Sequence, residues 1–121
     1  MKILYIEDSP EHIRTVQRVA LDMGHELVTA GTGKDGLTFL ANPPPDLILI
    51  DIHLPDINGL DLVRQIRRNH YLMPIIALTG DVWTYNEQIS LQAGCNGFLA
   101  KPCGIETLRE VFSQFDSRTA T

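Results

Sequence analysis

Leu47-Ile48-Leu49-Ile50-Asp51 sets four large aliphatic side chains in a row and ends them on a carboxylate. An unbroken apolar run that short reads as a strand buried on both faces, which is the habit of parallel sheets covered by helices. Three other stretches share the form. Ile3-Leu4-Tyr5-Ile6 is followed by Glu7-Asp8, Ile75-Ile76-Ala77-Leu78 by Thr79, and Gly97-Phe98-Leu99-Ala100 by Lys101-Pro102. In an open α/β sheet, ligands bind in the crevice outside the carboxyl ends of the strands. The four ends are therefore expected to converge on one pocket holding carboxylates, a hydroxyl and an ammonium. That is chemistry suited to a divalent cation and a phosphoryl group.

The segments between these runs carry helical patterns. Ser9 is placed to cap a first helix, with Pro10 at its first position and an end before Gly24. Its Ile13, Val16, Ala20 and Met23 recur at helical spacing and are expected to face the sheet. His25 to Ala30 reads as a further strand. Thr32, with Asp35 three residues on, predicts a second helix to about Ala41, broken by Asn42-Pro43-Pro44-Pro45. A third helix follows Asn58-Gly59, with Leu60, Val63 and Ile66 inward and Arg64, Arg67 and Arg68 outward. A fourth is predicted over about Trp83 to Ala93, stopping at Gly94. The fifth starts at Ile105 with Leu108, Val111, Phe112 and Phe115 on one stripe. Five strands alternating with five helices imply an α/β fold with right-handed crossovers and helices on both faces. Chain order does not fix strand order. The flavodoxin-like doubly wound order 2-1-3-4-5 is expected because it sets strands one, three and four side by side.

Composition narrows the function classes. At 121 residues the chain fits one domain, large enough to build a core without disulfides. Net charge is −5 and the densest basic group is the three arginines of one helix, so no nucleic-acid footprint is visible. Cys95 and Cys103 flank the last strand, roughly 20 Å apart at about 3.3 Å per residue, beyond the ~7 Å limit of a disulfide. They are read as free thiols packed as small residues. With no signal peptide and no apolar run of about 18 residues, a cytoplasmic location away from membranes is expected.

Asp51, at the end of the most continuous strand, has the most rigid carboxylate, and Glu7 and Asp8 come from a neighbouring strand. Three close carboxylates repel unless a cation joins them, and Mg²⁺ takes one or two carboxylates, waters and a phosphate oxygen. Lys101 can pair with Asp51 or with a phosphoryl oxygen, and Thr79 and the Gly80 N–H can donate to the same oxygens. Each residue alone has a plainer use, as a turn, a cap or a solvated loop; their coincidence at four strand ends carries the reading.

That set resembles a response-regulator receiver domain, the phosphoacceptor half of two-component signalling. The resemblance covers essentially the whole chain. It rests on Ile6-Glu7-Asp8-Ser9, on Asp51-Ile52-His53-Leu54-Pro55-Asp56-Ile57-Asn58-Gly59, on Leu78-Thr79-Gly80 and on Phe98-Leu99-Ala100-Lys101-Pro102. It implies that Asp51 takes phosphate from a sensor histidine kinase, a phosphotransfer protein or a small donor. It further implies that Asp8, Asp51 and the His53 carbonyl hold Mg²⁺ with Glu7 acting through water, that Lys101 grips the phosphoryl group, and that Lys101–Pro102 is cis. Thr79 would close onto phosphate and Phe98, where many relatives have tyrosine, would turn in behind it. That would alter the face of helix four, strand five and helix five, read by a downstream effector protein or domain or by a phosphorylation-linked homodimer. His53 and Asp81 are tuning positions: His53 is expected to screen the acyl phosphate and Asp81 to cap helix four. His12, His25 and His70 lack ligand-like spacing and are expected at the surface.

The main alternative is an enzyme, a metal-dependent phosphohydrolase with an aspartate nucleophile. Haloacid-dehalogenase-like enzymes need a second carboxylate two residues after the nucleophile, where this chain has His53, and the chain is short for a cap domain. A flavodoxin is disfavoured because no Ser/Thr/Gly-rich loop follows strand one. A module with a vestigial site is disfavoured by the full chemical set. About six residues follow helix five, so the chain is expected to be a standalone regulator or the N-terminal receiver of a longer protein. Met1, just before the first strand, is expected to be a natural start.

Overall fold

The buried aliphatic runs become the strands of one sheet. A computed structural model describes residues 1–41 and 43–116. In chain order the elements are β1 (Lys2–Ile6), α1 (Pro10–Asp22), β2 (Glu26–Ala30), α2 (Gly33–Thr38), β3 (Leu47–Asp51), α3 (Gly59–Arg68), β4 (Ile75–Thr79), α4 (Glu87–Ala93), β5 (Gly97–Ala100) and α5 (Ile105–Phe115). All strand pairs are parallel, in the order β2-β1-β3-β4-β5. The fold is thus the flavodoxin-like doubly wound one.

Side chains alternate across the strands with a period of two, which splits the core into two layers. Ile3, Tyr5, Leu47, Leu49, Ile76 and Leu78 pack with α1 and α5, against Val16, Val19, Ala20, Leu108 and Phe112. Leu4, Ile6, Ile48, Ile50, Ile75 and Ala77 pack on the other face, against Leu60, Leu62, Val63 and Ile66 of α3 and Ala93 of α4. β3 has partners on both edges and every residue buried, which fixes the backbone that presents Asp51. Ile6 is level with Ile50, Asp51 with Leu78, and Thr79 with Ala100, so the polar residues emerge along one rim.

Local chemistry sets the helix ends. Ser9, Thr32, Asn58 and Asn86 each accept a backbone N–H from the first turn of α1, α2, α3 and α4. α4 stops where Gly94 takes the left-handed conformation, φ 114°. The Lys101–Pro102 bond is cis, and Cys95 and Cys103 are free thiols.

Four expectations need correction. α2 ends at Thr38 rather than near Ala41, because the Phe39 and Leu40 amides tighten onto Gly36 and Leu37 and leave the helical path. α4 begins at Glu87 rather than Trp83: residues 82–84 form a turn whose Thr84 N–H is held by Asp81 Oδ1 at 3.2 Å, and Asn86 caps the helix. Arg67 does not project outward. It donates to the carbonyls of Gly94, Tyr71 and Met73 and to Asn96 Oδ1, all at 2.8–2.9 Å, tying α3 to the ends of α4 and the β4 approach. His25 is buried, edge-on to Phe112 with ring centroids 5.8 Å apart and Nε2 3.8 Å from Asp116. The expected tail after α5, and Asn42 of the proline break, lie outside the described residues.

One glycine fixes the approach of α3 to the site. The Gly59 N–H donates to Ile52 O at 2.7 Å. A Cβ there would run into the Asp51 carbonyl oxygen and come within 2.8 Å of Ile52 Cα. Backbone cannot swing aside as a side chain can. Gly59→Ala is therefore expected to destabilise the fold by about 1–3 kcal/mol, lowering the urea midpoint at unchanged slope. An unshifted midpoint would refute the close approach.

Candidate functional site

Alternation along β1 decides where Glu7 points. Ile3 and Tyr5 face α1, so Glu7, two residues on, faces α1 as well. There it is fully buried and meets two donors. Lys101 Nζ lies 2.7 and 2.9 Å from its two oxygens, and His12 Nδ1 lies 2.7 Å from Oε1. Lys101 reaches this position from the end of β5 and also stands 3.3 Å from Asp51 Oδ2. Asp51 is itself only 6% exposed, and the His53 N–H donates to its Oδ1 at 3.2 Å. One ammonium thus faces two buried carboxylates from two strands.

The electrostatics follow from that burial. Loss of water raises the Glu7 carboxyl above the ordinary glutamate range, and neighbouring Asp51 adds to the rise; Lys101 and His12 pull it back. Burial, with Glu7 and Asp51 close by, pushes the Tyr5 hydroxyl far up, so it stays neutral. Asp8 is exposed at the rim. Glu7, Asp8 and Asp51 each offer an oxygen, and these oxygens lie within 4.8 Å of one another. Hard, closely spaced oxygen donors with exposed space beside them fit a small divalent cation.

The second side of the site is built from β4. Thr79 is buried, and its hydroxyl oxygen accepts the Asp81 N–H at 3.0 Å. Phe98 is half-buried, level with Ala77, and packs with the α3-side core, so Thr79 and Phe98 share a sheet face. Asp81 and His53 face each other across the rim, with Oδ2 and Nε2 3.9 Å apart. The Thr84 N–H, foremost, holds the Asp81 carboxyl below the usual range, with the Thr84 side chain and His53 adding to the effect. Asp81 therefore caps the turn at residues 82–84 and not α4, contrary to expectation. Trp83, in that turn, is 97% exposed.

Two residues at this rim escaped the sequence reading. His12 was expected at the surface; it sits three residues after the Ser9 cap, where helical side chains lean back toward the N-terminus and so toward Glu7. Tyr85 contacts both loops of the site: its hydroxyl takes Asn58 Nδ2 at 2.9 Å and its ring meets His53. The Tyr85 contacts have no sequence signal, since they depend on which loops adjoin, whereas His12 lies only five residues from Glu7. His70 is exposed, as expected.

Lys101 is the cation on which both buried carboxylates depend. Lys101→Met keeps the volume and removes the charge, and is expected to cost roughly 3 kcal/mol at neutral pH. With its main counter-charge gone, the Glu7 carboxyl in the fold would titrate still further above its unfolded range. The native state then holds a proton that the unfolded state has lost, so the deficit grows as pH rises from about 4.5 to 7.5. Paired thermal melts at those two pH values test this. A deficit that shrank with rising pH would contradict it.

Residues 3–113 match the response regulator receiver domain family. The chain is 40% identical over 101 residues to the transcriptional regulatory protein AfsQ1 of Streptomyces coelicolor, covering 83% of this chain and 44% of that one. It is 26% identical to the sensor histidine kinase RcsC of Salmonella typhimurium over 98% of this chain and 12% of that protein. It thus spans less than half the length of these relatives. Among solved structures, the receiver domain of the Francisella response regulator 1452 superposes with a TM-score of 0.88 at 25% identity, covering 98% of both chains. The chemotaxis response regulator CheY4 of Vibrio cholerae gives 0.84 at 27% identity, over 95% of this chain and 98% of that one. The chain belongs to the response regulator receiver domains of two-component systems, a family of signalling domains rather than classical enzymes.

Proposed function

We propose that this chain is a phosphorylation-dependent switch that accepts a phosphoryl group on Asp51 from a sensor histidine kinase, a phosphotransfer protein or a small phosphodonor. The observation that carries the reading is Asp51 itself: a buried carboxylate on the central strand, with an ammonium at 3.3 Å and two further carboxylates beside it. An Asp51 carboxylate oxygen attacks phosphorus in line; the P–O bond forms as the bond from phosphorus to the donor's nitrogen or oxygen breaks. Water later attacks the same phosphorus, releasing phosphate and regenerating the carboxylate. Such self-phosphorylation and self-dephosphorylation are the only chemistry proposed.

Asp8, Asp51 and the His53 carbonyl would hold Mg²⁺, with Glu7 acting through water; the ion's contribution is charge neutralisation at the attacked phosphoryl group. Lys101 would turn from Glu7 to a phosphoryl oxygen. Thr79 would exchange the Asp81 N–H for a bond donated to phosphate, opening room that Phe98, on the same sheet face, can enter. The altered α4–β5–α5 face would then be read by a downstream effector protein or domain, or by a second phosphorylated copy. No direct contact with nucleic acid or membrane is proposed, and the location is the cytoplasm. Among the described residues, no helix is long and apolar enough to cross a membrane.

Intact mass after acetyl phosphate and Mg²⁺ should rise by one phosphoryl group in the wild type and not in Asp51→Asn. An undiminished gain in the variant would sink the assignment. The switch has its own test in Trp83, the one tryptophan of the chain. Its emission should change on adding Mg²⁺ with beryllofluoride in the wild type, and much less in Thr79→Ala. Equal changes in both proteins would remove Thr79 from the route to the output face.

A further inference from the structure

The rim above Asp51 is made by two loops from adjacent strands. One follows β3 and carries His53; the other follows β4 and carries Asp81. Tyr85 joins them. Its hydroxyl accepts from Asn58 Nδ2 at 2.9 Å, and its own amide donates to the Asp81 carbonyl at 3.2 Å. Its ring meets the His53 ring nearly perpendicular, at 76°, with centroids 5.4 Å apart. Asn58 is committed to this orientation, because its Oδ1 must face the Leu60 N–H that it caps at 2.9 Å, leaving the amide nitrogen for Tyr85. An antiparallel bridge between His53 and Asn58 further ties the two ends of the first loop.

The His53 side chain is 54% exposed, so these neighbours are what orients it at the rim. Its backbone is already fixed by the bond from its N–H to Asp51 Oδ1. The imidazole itself meets both the Tyr85 ring and the Asp81 carboxylate, whose Oδ2 is 3.9 Å from Nε2. An edge-to-face aromatic contact is directional, and it selects one orientation of the smaller ring. We infer that Tyr85 is a positioning residue: it holds the His53 ring as a screen over the Asp51 carboxylate and thereby lengthens the life of the phosphoryl group. The step it slows is attack of a water oxygen on phosphorus, with cleavage of the P–O bond to Asp51 and release of inorganic phosphate. Because Tyr85 belongs to the loop that begins at Thr79, the screen is also tied to the segment that closure would move.

The inference rests on Asp51 being the phosphoacceptor, and the experiment separates the two. The purified protein is phosphorylated with acetyl phosphate and Mg²⁺, the donor is removed, and loss of the phosphoryl group is followed by intact mass. Tyr85→Leu, His53→Ala and the double variant are compared with the wild type. Tyr85→Leu should shorten the lifetime about fivefold, the factor that corresponds to losing roughly 1 kcal/mol of aromatic contact. His53→Ala should shorten it at least as much, and the double variant should decay no faster than His53→Ala alone. Effects that multiply in the double variant would mean that Tyr85 acts independently of His53, which overturns the inference. So would an unchanged lifetime in Tyr85→Leu. A wild type that takes no phosphoryl group overturns the phosphoacceptor reading and this inference with it. In the unphosphorylated protein, the His53 ring-proton resonances should move in Tyr85→Leu and stay in place in Leu72→Ala, a control at a side chain that is exposed. Resonances unmoved by Tyr85→Leu would overturn the positioning role whatever the kinetics.

Discussion

Lys101 places one ammonium 2.7 and 2.9 Å from the oxygens of Glu7 and 3.3 Å from Asp51 Oδ2, and neither carboxylate has appreciable access to water. Two desolvated anions from adjacent strands would force the rim apart or take up protons. The effective penalty for burying such an ion is several kcal/mol even after relaxation. Against it stand the four aliphatic side chains of β3 that precede Asp51, all fully buried, each stabilising by roughly 1.5–3 kcal/mol, or about 6–12 kcal/mol together. The sheet can therefore hold Asp51 in an unfavourable place, provided a cation shares the space. Lys101 supplies it from a strand that does not touch β1 or β3 directly.

This balance explains why the polar residues sit at strand ends and nowhere deeper. One residue earlier on β3, the layers of α1, α3 and α5 exclude water on both faces and no cation could follow. One residue later Ile52 is again fully buried, in the α3-side layer, so its side chain cannot serve the rim either. The alternation that sends Tyr5 and Glu7 toward α1 sends Thr79 and Phe98 to the opposite face, with Ala77. Charge management and the proposed switch thus occupy different layers of one sheet and meet only at the rim.

Legibility in the sequence follows the same division. The runs Leu47–Ile50 and Ile75–Leu78 announced strands because burial on both faces leaves an unbroken apolar stretch. Glu7, Asp8, Asp51, Thr79 and Lys101 could be read as one site because strand ends must converge in a parallel sheet. The caps Ser9 and Thr32 were legible because capping is local. Arg67, His12 and Tyr85 were not. Arg67 looked like a solvated helix face, yet its partners lie up to 29 positions away at Asn96. The start of α4 was missed for a related reason: Asp81 and Asn86 are both good capping residues five positions apart, and only the turn between them decides which one opens the helix.

The rim residues also differ in how they are held, and that difference bears on how such a site can change state. Glu7 and Lys101 are fixed by burial and by charge, so they yield only to another charge of comparable strength. Thr79 is held by a single bond from the Asp81 N–H, and His53 by an aromatic edge and a carboxylate 3.9 Å away. A net hydrogen bond contributes about 1 kcal/mol, and a ligand shifts an equilibrium only by its differential interaction with the two states. An incoming dianion with strong acceptor oxygens can outweigh the Thr79 bond easily and the Lys101–Glu7 pair only by offering Lys101 an equal partner. The Thr79 hydroxyl is therefore the part of the rim whose reorientation costs least, and Lys101 is the part whose reorientation calls for a new anion beside it.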